Sequence, residues 1–203
     1  MKRNNEMDIV FLLDRSGSMG GIEDDTIGGY NSYIESQKKN NVKVTTVLFD
    51  DKYEMLHERC DIKNVKPLNN KTYYVRGCTA LLDAIGKTIN YMDKEKAKKV
   101  IFIITTDGLE NASREYTRDK IKEMIKSHNE WEFMYIGADI DSYAEGSSIG
   151  ISEKNISSYK KDKKGVSKLF KSLGRASCMF SFADEISEDW KDDLENYIKS
   201  ESN

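Results

Sequence analysis

The stretch Asp8-Ile9-Val10-Phe11-Leu12-Leu13-Asp14-Arg15-Ser16-Gly17-Ser18 decides the fold. From Ile9 to Leu13 it is continuously apolar, as expected of a strand covered on both faces. From Asp14 onward it is built of turn residues, so a buried strand delivers one carboxylate and two hydroxyls into a tight loop. A second run of the same kind, Val100-Ile101-Phe102-Ile103-Ile104, ends in Thr105-Thr106-Asp107-Gly108. Such strands belong to parallel sheets, whose crossover connections lay helices over both faces.

Outward from these runs, helical and strand patterns alternate. Ile22, Thr26, Ile27, Tyr30, Tyr33, Ile34 and Gln37 recur at helical spacing. Glu23, Asp24 and Asp25 fall in that helix's first turn, where negative charge suits the positive end of the dipole. Val42 to Phe49 reads as a strand, Asp50-Asp51-Lys52 as a hairpin turn and Tyr53 to Cys60 as the returning strand. The polar stretch Asp61 to Lys71, with the only proline at Pro67, reads as a loop or a poorly ordered connection. Leu81, Leu82, Ile85, Ile89 and Met92 make an amphipathic helix, and Tyr116, Ile121, Met124 and Ile125 mark another. Trp131 to Ile136 is a strand, Asp141 to Ser148 one or two helical turns, and Asn155 to Tyr159 a short edge strand. Val166, Leu169, Phe170 and Leu173 form a helix face; Ile186, Trp190, Leu194, Tyr197 and Ile198 form the last one. The expected class is α/β: a three-layer, doubly wound, mostly parallel sheet with helices on both faces and one antiparallel edge strand from the Val42–Cys60 hairpin. The 203 residues suit a single domain, with a core over about 7–182 and a C-terminal helix over about 185–200.

In an open parallel sheet, ligands bind at the carboxyl ends of the strands, where the strand order reverses. Asp14 and Asp107 both follow strand ends; if those strands are neighbours, their loops open on one crevice. Thr79, in Arg76-Gly77-Cys78-Thr79-Ala80-Leu81, would enter from the loop before the Leu81 helix. Oxygen ligands without His or Cys suit a hard cation such as Mg²⁺ rather than zinc or copper.

These segments, in this order, resemble the von Willebrand factor type A (vWA) domain and its metal-ion-dependent adhesion site, or MIDAS. "GCTALLDAI" is similar to the family's Gly-Gly-Thr-Ala-Leu segment, with Cys78 in place of the second glycine, and "FIITTDGLEN" to its fourth-strand ending. The resemblance covers about residues 7–182 and implies a Rossmann-like fold with a metal bound by Asp14, Ser16, Ser18, Thr79 and Asp107. It implies that Ser16, Ser18 and usually Thr79 ligate directly, while Asp14 and Asp107 act partly through water. The implied cation is Mg²⁺, with Mn²⁺ or Ca²⁺ as alternatives. Neutral hydroxyls leave much of its charge unneutralised, so a Glu or Asp carboxylate of a protein partner can complete the coordination. Stand-alone bacterial and phage domains that look like this occur beside stress-response and AAA+ ATPase systems, which supplies a partner class.

Around this set, several residues read two ways. Arg15 is a contact for an acidic partner or a solvated charge. Glu110 either reaches the metal through water or caps the next helix. Asp50 and Asp51 either share the upper edge of the site or only make the turn. His57 and His128 lie away from every motif and read as structural or surface residues.

Composition narrows the function classes. Charged residues make up 33% of the chain, but the net charge is only -3, which gives no electrostatic argument for nucleic acid. No segment approaches the length of a membrane span. After Met1-Lys2-Arg3-Asn4-Asn5-Glu6, the apolar run is too short and too soon acidic for a signal peptide. Cys60, Cys78 and Cys178 are scattered and odd in number, as in reduced proteins of the cytoplasm. The favoured reading is therefore a cytoplasmic, non-enzymatic, metal-dependent binding module. The enzyme alternative is a Mg²⁺-dependent phosphatase or hydrolase. One of haloacid-dehalogenase type would need a second Asp where Ser16 stands; the sequence also offers no general base or phosphate-binding lysine nearby, and no P-loop. A third reading makes the metal a mere brace between loops in a regulatory subunit.

Overall fold

The computed structural model describes residues 6–138 and 140–201; residues 1–5, on which the reading against a leader partly rests, lie outside the described residues. Six strands form one sheet: β1 (Met7–Asp14), β2 (Val42–Phe49), β3 (Tyr53–Asp61), β4 (Val100–Thr106), β5 (Trp131–Ala138) and β6 (Ile156–Tyr159). Their order is β3-β2-β1-β4-β5-β6. All neighbours are parallel except β2 and β3, which form the antiparallel hairpin at one edge. The two runs that lack polar alternation, β1 and β4, are buried at every residue and lie side by side. From β1 the chain turns to β2 on one side and returns to β4 on the other, so the winding reverses between β1 and β4. Their loops part there, which opens a crevice at the carboxyl end of the sheet.

The helices are α1 (Glu23–Gln37), α2 (Leu81–Lys94), α3 (Arg118–Ser127), α4 (Ser142–Ser148), α5 (Lys163–Ala183) and α6 (Asp192–Glu201). Side chains alternate across a strand, so β1 feeds two cores. Ile9, Phe11 and Leu13 pack with Tyr30, Tyr33 and Ile34 of α1, with Leu169 and Leu173 of α5, and with Leu194 of α6. Val10 and Leu12 pack on the other face with Leu82, Ile85 and Ile89 of α2 and Ile121 of α3. Phe11 meets Tyr30 and Tyr33 edge-on at 5.3 and 4.9 Å. Each such pair adds about 0.5–1.5 kcal/mol beyond its burial, and together they hold α1 over β1. The loop between those two elements therefore has fixed ends. Among the described residues, no helix is long and apolar enough to cross a membrane.

The structure departs from the sequence expectation in two places and sharpens it in a third. Tyr116 lies before α3, whose N-cap is Thr117. Its ring packs over Gly86 of α2, where a Cβ would come within 2.3 Å, so its place is set by a tertiary contact rather than by helical periodicity. Ile186 and Trp190 precede α6, Trp190 in a 3-10 turn, yet both are buried in the same core as α5; here apolar spacing reports burial and not helix. The 61–71 connection is a loop, but a tethered one. Ile62, Val65 and Leu68 are buried. Asn31 of α1 donates to the Leu68 carbonyl at 2.9 Å and accepts from its N–H at 2.8 Å.

Candidate metal centre

Asp14, the last residue of β1, is fully buried. Its carboxylate accepts the Ser16 N–H at 2.6 Å and the Thr106 hydroxyl at 2.6 Å. The first contact makes the tight Asx-type turn that Asp favours after a strand. The second ties β1 to the end of β4. Burial pushes the Asp14 carboxyl up to about 6, the bonds from Thr106 and Ser16 opposing the rise and the nearby charge of Asp107 adding to it. Beyond the turn, the Ser16 and Ser18 hydroxyl oxygens stand 3.0 Å apart. Tyr73 donates to the Asp14 carbonyl at 2.7 Å and anchors the turn from behind.

The loop that carries Thr79 is stitched to this turn. Gly17 N–H donates to the Gly77 carbonyl at 3.2 Å, and Arg76 N–H to the Arg15 carbonyl at 2.8 Å. Asp50 joins the two from below, accepting Arg15 Nε at 2.9 Å and Arg76 Nε at 2.7 Å. Burial would raise the Asp50 carboxyl, but the bonds from Arg76, the Lys52 N–H and Arg15 outweigh it and hold the group below its ordinary value. Thr79 is in turn fixed to the β4 loop. Its N–H donates to Asn111 Oδ1 at 2.9 Å, and its carbonyl accepts from the Asn111 and Ala112 N–H groups.

Gly108 shows what these contacts achieve. A Cβ built on Gly108 would lie 2.6 Å from Thr79 Oγ1, 3.1 Å from Ser18 Oγ and 3.5 Å from Ser16 Oγ. The hydroxyls of Ser16, Ser18 and Thr79 thus converge on one small volume that only a glycine leaves open. Asp107, beside it, is 7% exposed. Its Oδ1 is buried and has no hydrogen-bond partner among the described residues, while its Oδ2 lies 2.9 Å from Lys161 Nζ. Buried polar atoms are rarely left unpaired, so an orphan carboxylate oxygen marks a place built for a donor or a cation. No group of three or more His, Cys, Asp or Glu side chains among the described residues is placed to hold a metal. A centre here must therefore draw on hydroxyls, and a set of hydroxyl and carboxylate oxygens fits a hard divalent cation.

The structure brings Asp14, Ser16, Thr79 and Asp107 together as buried groups with Ser18 exposed above them. Arg15 fits neither sequence reading: it is fully buried, held inward by ion pairs with Asp50 at 2.9 Å and Glu54 at 2.8 Å at the sheet edge. Glu110 is a cap, but for the helix before it. It accepts the Leu82 N–H of α2 at 2.9 Å and the Ala112 and Ser113 N–H groups of its own turn. Asp51 is an exposed turn residue, whereas Asp50 is the buried junction described above. His57, buried 3.5 Å from the Tyr30 hydroxyl, and His128, bonded to Asp93 at 2.8 Å, lie away from the centre. Thr106 and Lys161 belong to the site without having announced themselves. A strand threonine reads as β propensity, and Lys161 sits in a lysine-rich run whose ordinary reading is a solvated charge.

No protein-family model and no curated protein matches the chain. Solved structures do. The vWF domain of the type V pili tip protein Mfa5 from Porphyromonas gingivalis superposes with a TM-score of 0.66 at 11% identity, over 90% of this chain and 98% of that one. Proximal thread matrix protein 1 (PTMP1) from the mussel byssus gives 0.62 at 18% identity over 85% of this chain. This chain spans 46% of the mussel protein's length, and one structure of that protein has a zinc-occupied MIDAS motif. The pilus adhesin SpaC from Lactobacillus rhamnosus GG gives 0.64 at 15% identity, over 84% of this chain and 30% of that one. At such identities the likeness establishes the fold: a vWA-like α/β sheet.

Proposed function

We propose that this chain is a vWA-type protein-interaction module that recognises an acidic residue of its partner through a divalent cation. The observation that carries the reading is the convergence of the Ser16, Ser18 and Thr79 hydroxyls on the volume beside Gly108, flanked by the carboxylates of Asp14 and Asp107. Ser16, Ser18 and Thr79 would hold Mg²⁺, Mn²⁺ or Ca²⁺ directly, with Asp14 and Asp107 balancing its charge. The bound cation supplies a Lewis-acidic position that a Glu or Asp side chain can fill. The chain's own part is positional. Asp50, Arg15 and Arg76 lock the first two loops together, and Asn111 locks the second to the third, so the hydroxyls are held before any partner arrives. The similar structures are of a pili tip protein, a pilus adhesin and a byssus matrix protein, which supports a binding role over an enzymatic one. The reading carries with it the cytoplasmic setting and the AAA+ or stress-response partner implied by the resemblance.

The test is capture from native lysate by the purified protein in Mg²⁺ and in EDTA, beside Mn²⁺ titration of the protein alone. Asp14→Ala and Gly108→Ala are expected to stay folded and lose both metal and partner. In the second, the new methyl occupies the space of the Thr79 hydroxyl. A partner retained in EDTA and by Asp14→Ala would overturn the mechanism.

A further inference from the structure

Lys161 stands between β6 and α5, and its side chain reaches over the crevice to the loops of β1 and β4. Its ammonium lies 2.9 Å from Asp107 Oδ2 and also donates to the Ser18 carbonyl. The Lys161 side chain is 22% exposed and that of Asp107 only 2%, so the pair is largely withdrawn from water. A positive charge is thus seated on one of the two carboxylates of the site and on the backbone of the loop that carries Ser16 and Ser18.

The backbone on either side of Lys161 is pinned. Asp162 N–H donates to the Lys160 carbonyl at 2.8 Å. The Asp162 side chain caps α5 through the Gly165 N–H at 2.7 Å and accepts the Tyr197 hydroxyl of α6 at 3.0 Å. A Cβ at Gly165 would come within 2.0 Å of the Lys160 carbonyl oxygen, so the start of α5 presses directly on the loop. What can move is the flexible four-carbon stem of Lys161 and its compact ammonium.

We propose that Lys161 is a tethered cation that competes with the divalent metal for Asp107 and swings out when the metal seats. This inference rests on the metal reading above. Like charges repel, and Asp107 offers only its unpartnered Oδ1 while Lys161 holds Oδ2. The lysine therefore weakens metal binding, and metal binding releases an ammonium at the rim, where an acidic partner would meet it. Metal and partner affinity are coupled through one side chain, with no shift of the loop backbone.

Two measurements on the full chain decide it. The first is calorimetric titration with Mn²⁺ of the wild type, Lys161→Met and Lys163→Met; Lys163 is an exposed lysine of the same run. Lys161→Met is expected to bind about tenfold tighter, about 1.4 kcal/mol, and Lys163→Met to match the wild type. Equal affinity in all three, or an equal gain in both variants, would overturn competition at Asp107. The second is acylation of Lys161 in the wild type by an amine-reactive reagent, read by mass spectrometry in EDTA and in Mn²⁺. Labelling is expected to accelerate several-fold with metal; an unchanged or slower rate sinks the inference even if Lys161→Met folds poorly. A wild type that binds no Mn²⁺ at all removes the metal reading itself, whereas one that binds it with Lys161 indifferent removes only this step.

Discussion

Asp14 shows how a single carboxylate can serve a site at the fold's expense. Its raised value, about 6 against an ordinary 3.8, means that the native state binds a proton more readily than the unfolded chain. The contribution is therefore favourable below pH 3.8 and is lost as pH rises through about 6. Above that, charging the buried group costs on the order of 2–3 kcal/mol when no cation compensates it. Asp14→Asn keeps the shape: its oxygen can accept the Ser16 N–H and its amide can donate to the Thr106 hydroxyl. In EDTA at pH 7.5 this variant is expected to unfold at higher urea than the wild type, and the advantage should vanish at pH 4. Equal midpoints at both pH values would show that burial of the charge is not costly here. At this scale the sequence was legible where a residue type has few other uses. An Asp and two Ser after a buried run stood out, whereas the inward turn of Arg15 depends on Asp50 and Glu54, thirty-five and thirty-nine residues away.

At the scale of elements, the crevice depends on how the loops are fastened to helix starts. Asp83, in the first turn of α2, accepts the Arg114, Glu115 and Tyr116 N–H groups at 3.0, 2.9 and 3.0 Å. Together with Glu110 it binds the segment after β4 to the helix that follows Thr79. Burial would raise the Asp83 carboxyl, but the three N–H groups outweigh it and hold it below its ordinary 3.8. Its stabilisation is thus present above pH 3.8 and disappears as pH falls through the lowered value. Asp83→Ala is expected to cost about 1–3 kcal/mol at pH 7, measured by urea unfolding, with the gap to the wild type closing below about pH 4. A constant gap across that range would mean that the loss is one of packing rather than of the charged acceptor. Strands were easier to read than these fastenings. A buried parallel strand needs a run of apolar residues and nothing else, while a cap such as Glu110 can serve either neighbouring helix. Only the chain path settles which.

For the whole molecule, the order β3-β2-β1-β4-β5-β6 places the site where the winding reverses. A cation seated there would touch loops from three separate crossovers and bind the folded state alone. At a hundredfold excess over its Kd it should add about 2.7 kcal/mol, and about 2–4 °C per kcal/mol is typical of a chain this size. Mn²⁺ is therefore expected to raise the melting temperature by roughly 5–10 °C in the wild type and by nothing in Asp14→Ala. A shift that persists in Asp14→Ala would locate the bound metal elsewhere. The class of fold was readable because strand and helix patterns alternate along the whole sequence. The last turn of the chain was not, since Ile186 and Trp190 are apolar to fill a core and not to line a helix. The bond from Thr106 to Asp14 joins residues 92 apart in sequence, and that from Lys161 to Ser18 joins residues 143 apart. Contacts of such span can close only once the chain between them has been made. A nascent chain emerging from the ribosome would carry the whole first loop and still lack a complete site until Thr106 and Asp107 had followed. Competence to bind thus waits on the strand that brings Thr106 and Asp107, and a chain halted before it is mute toward metal and partner alike.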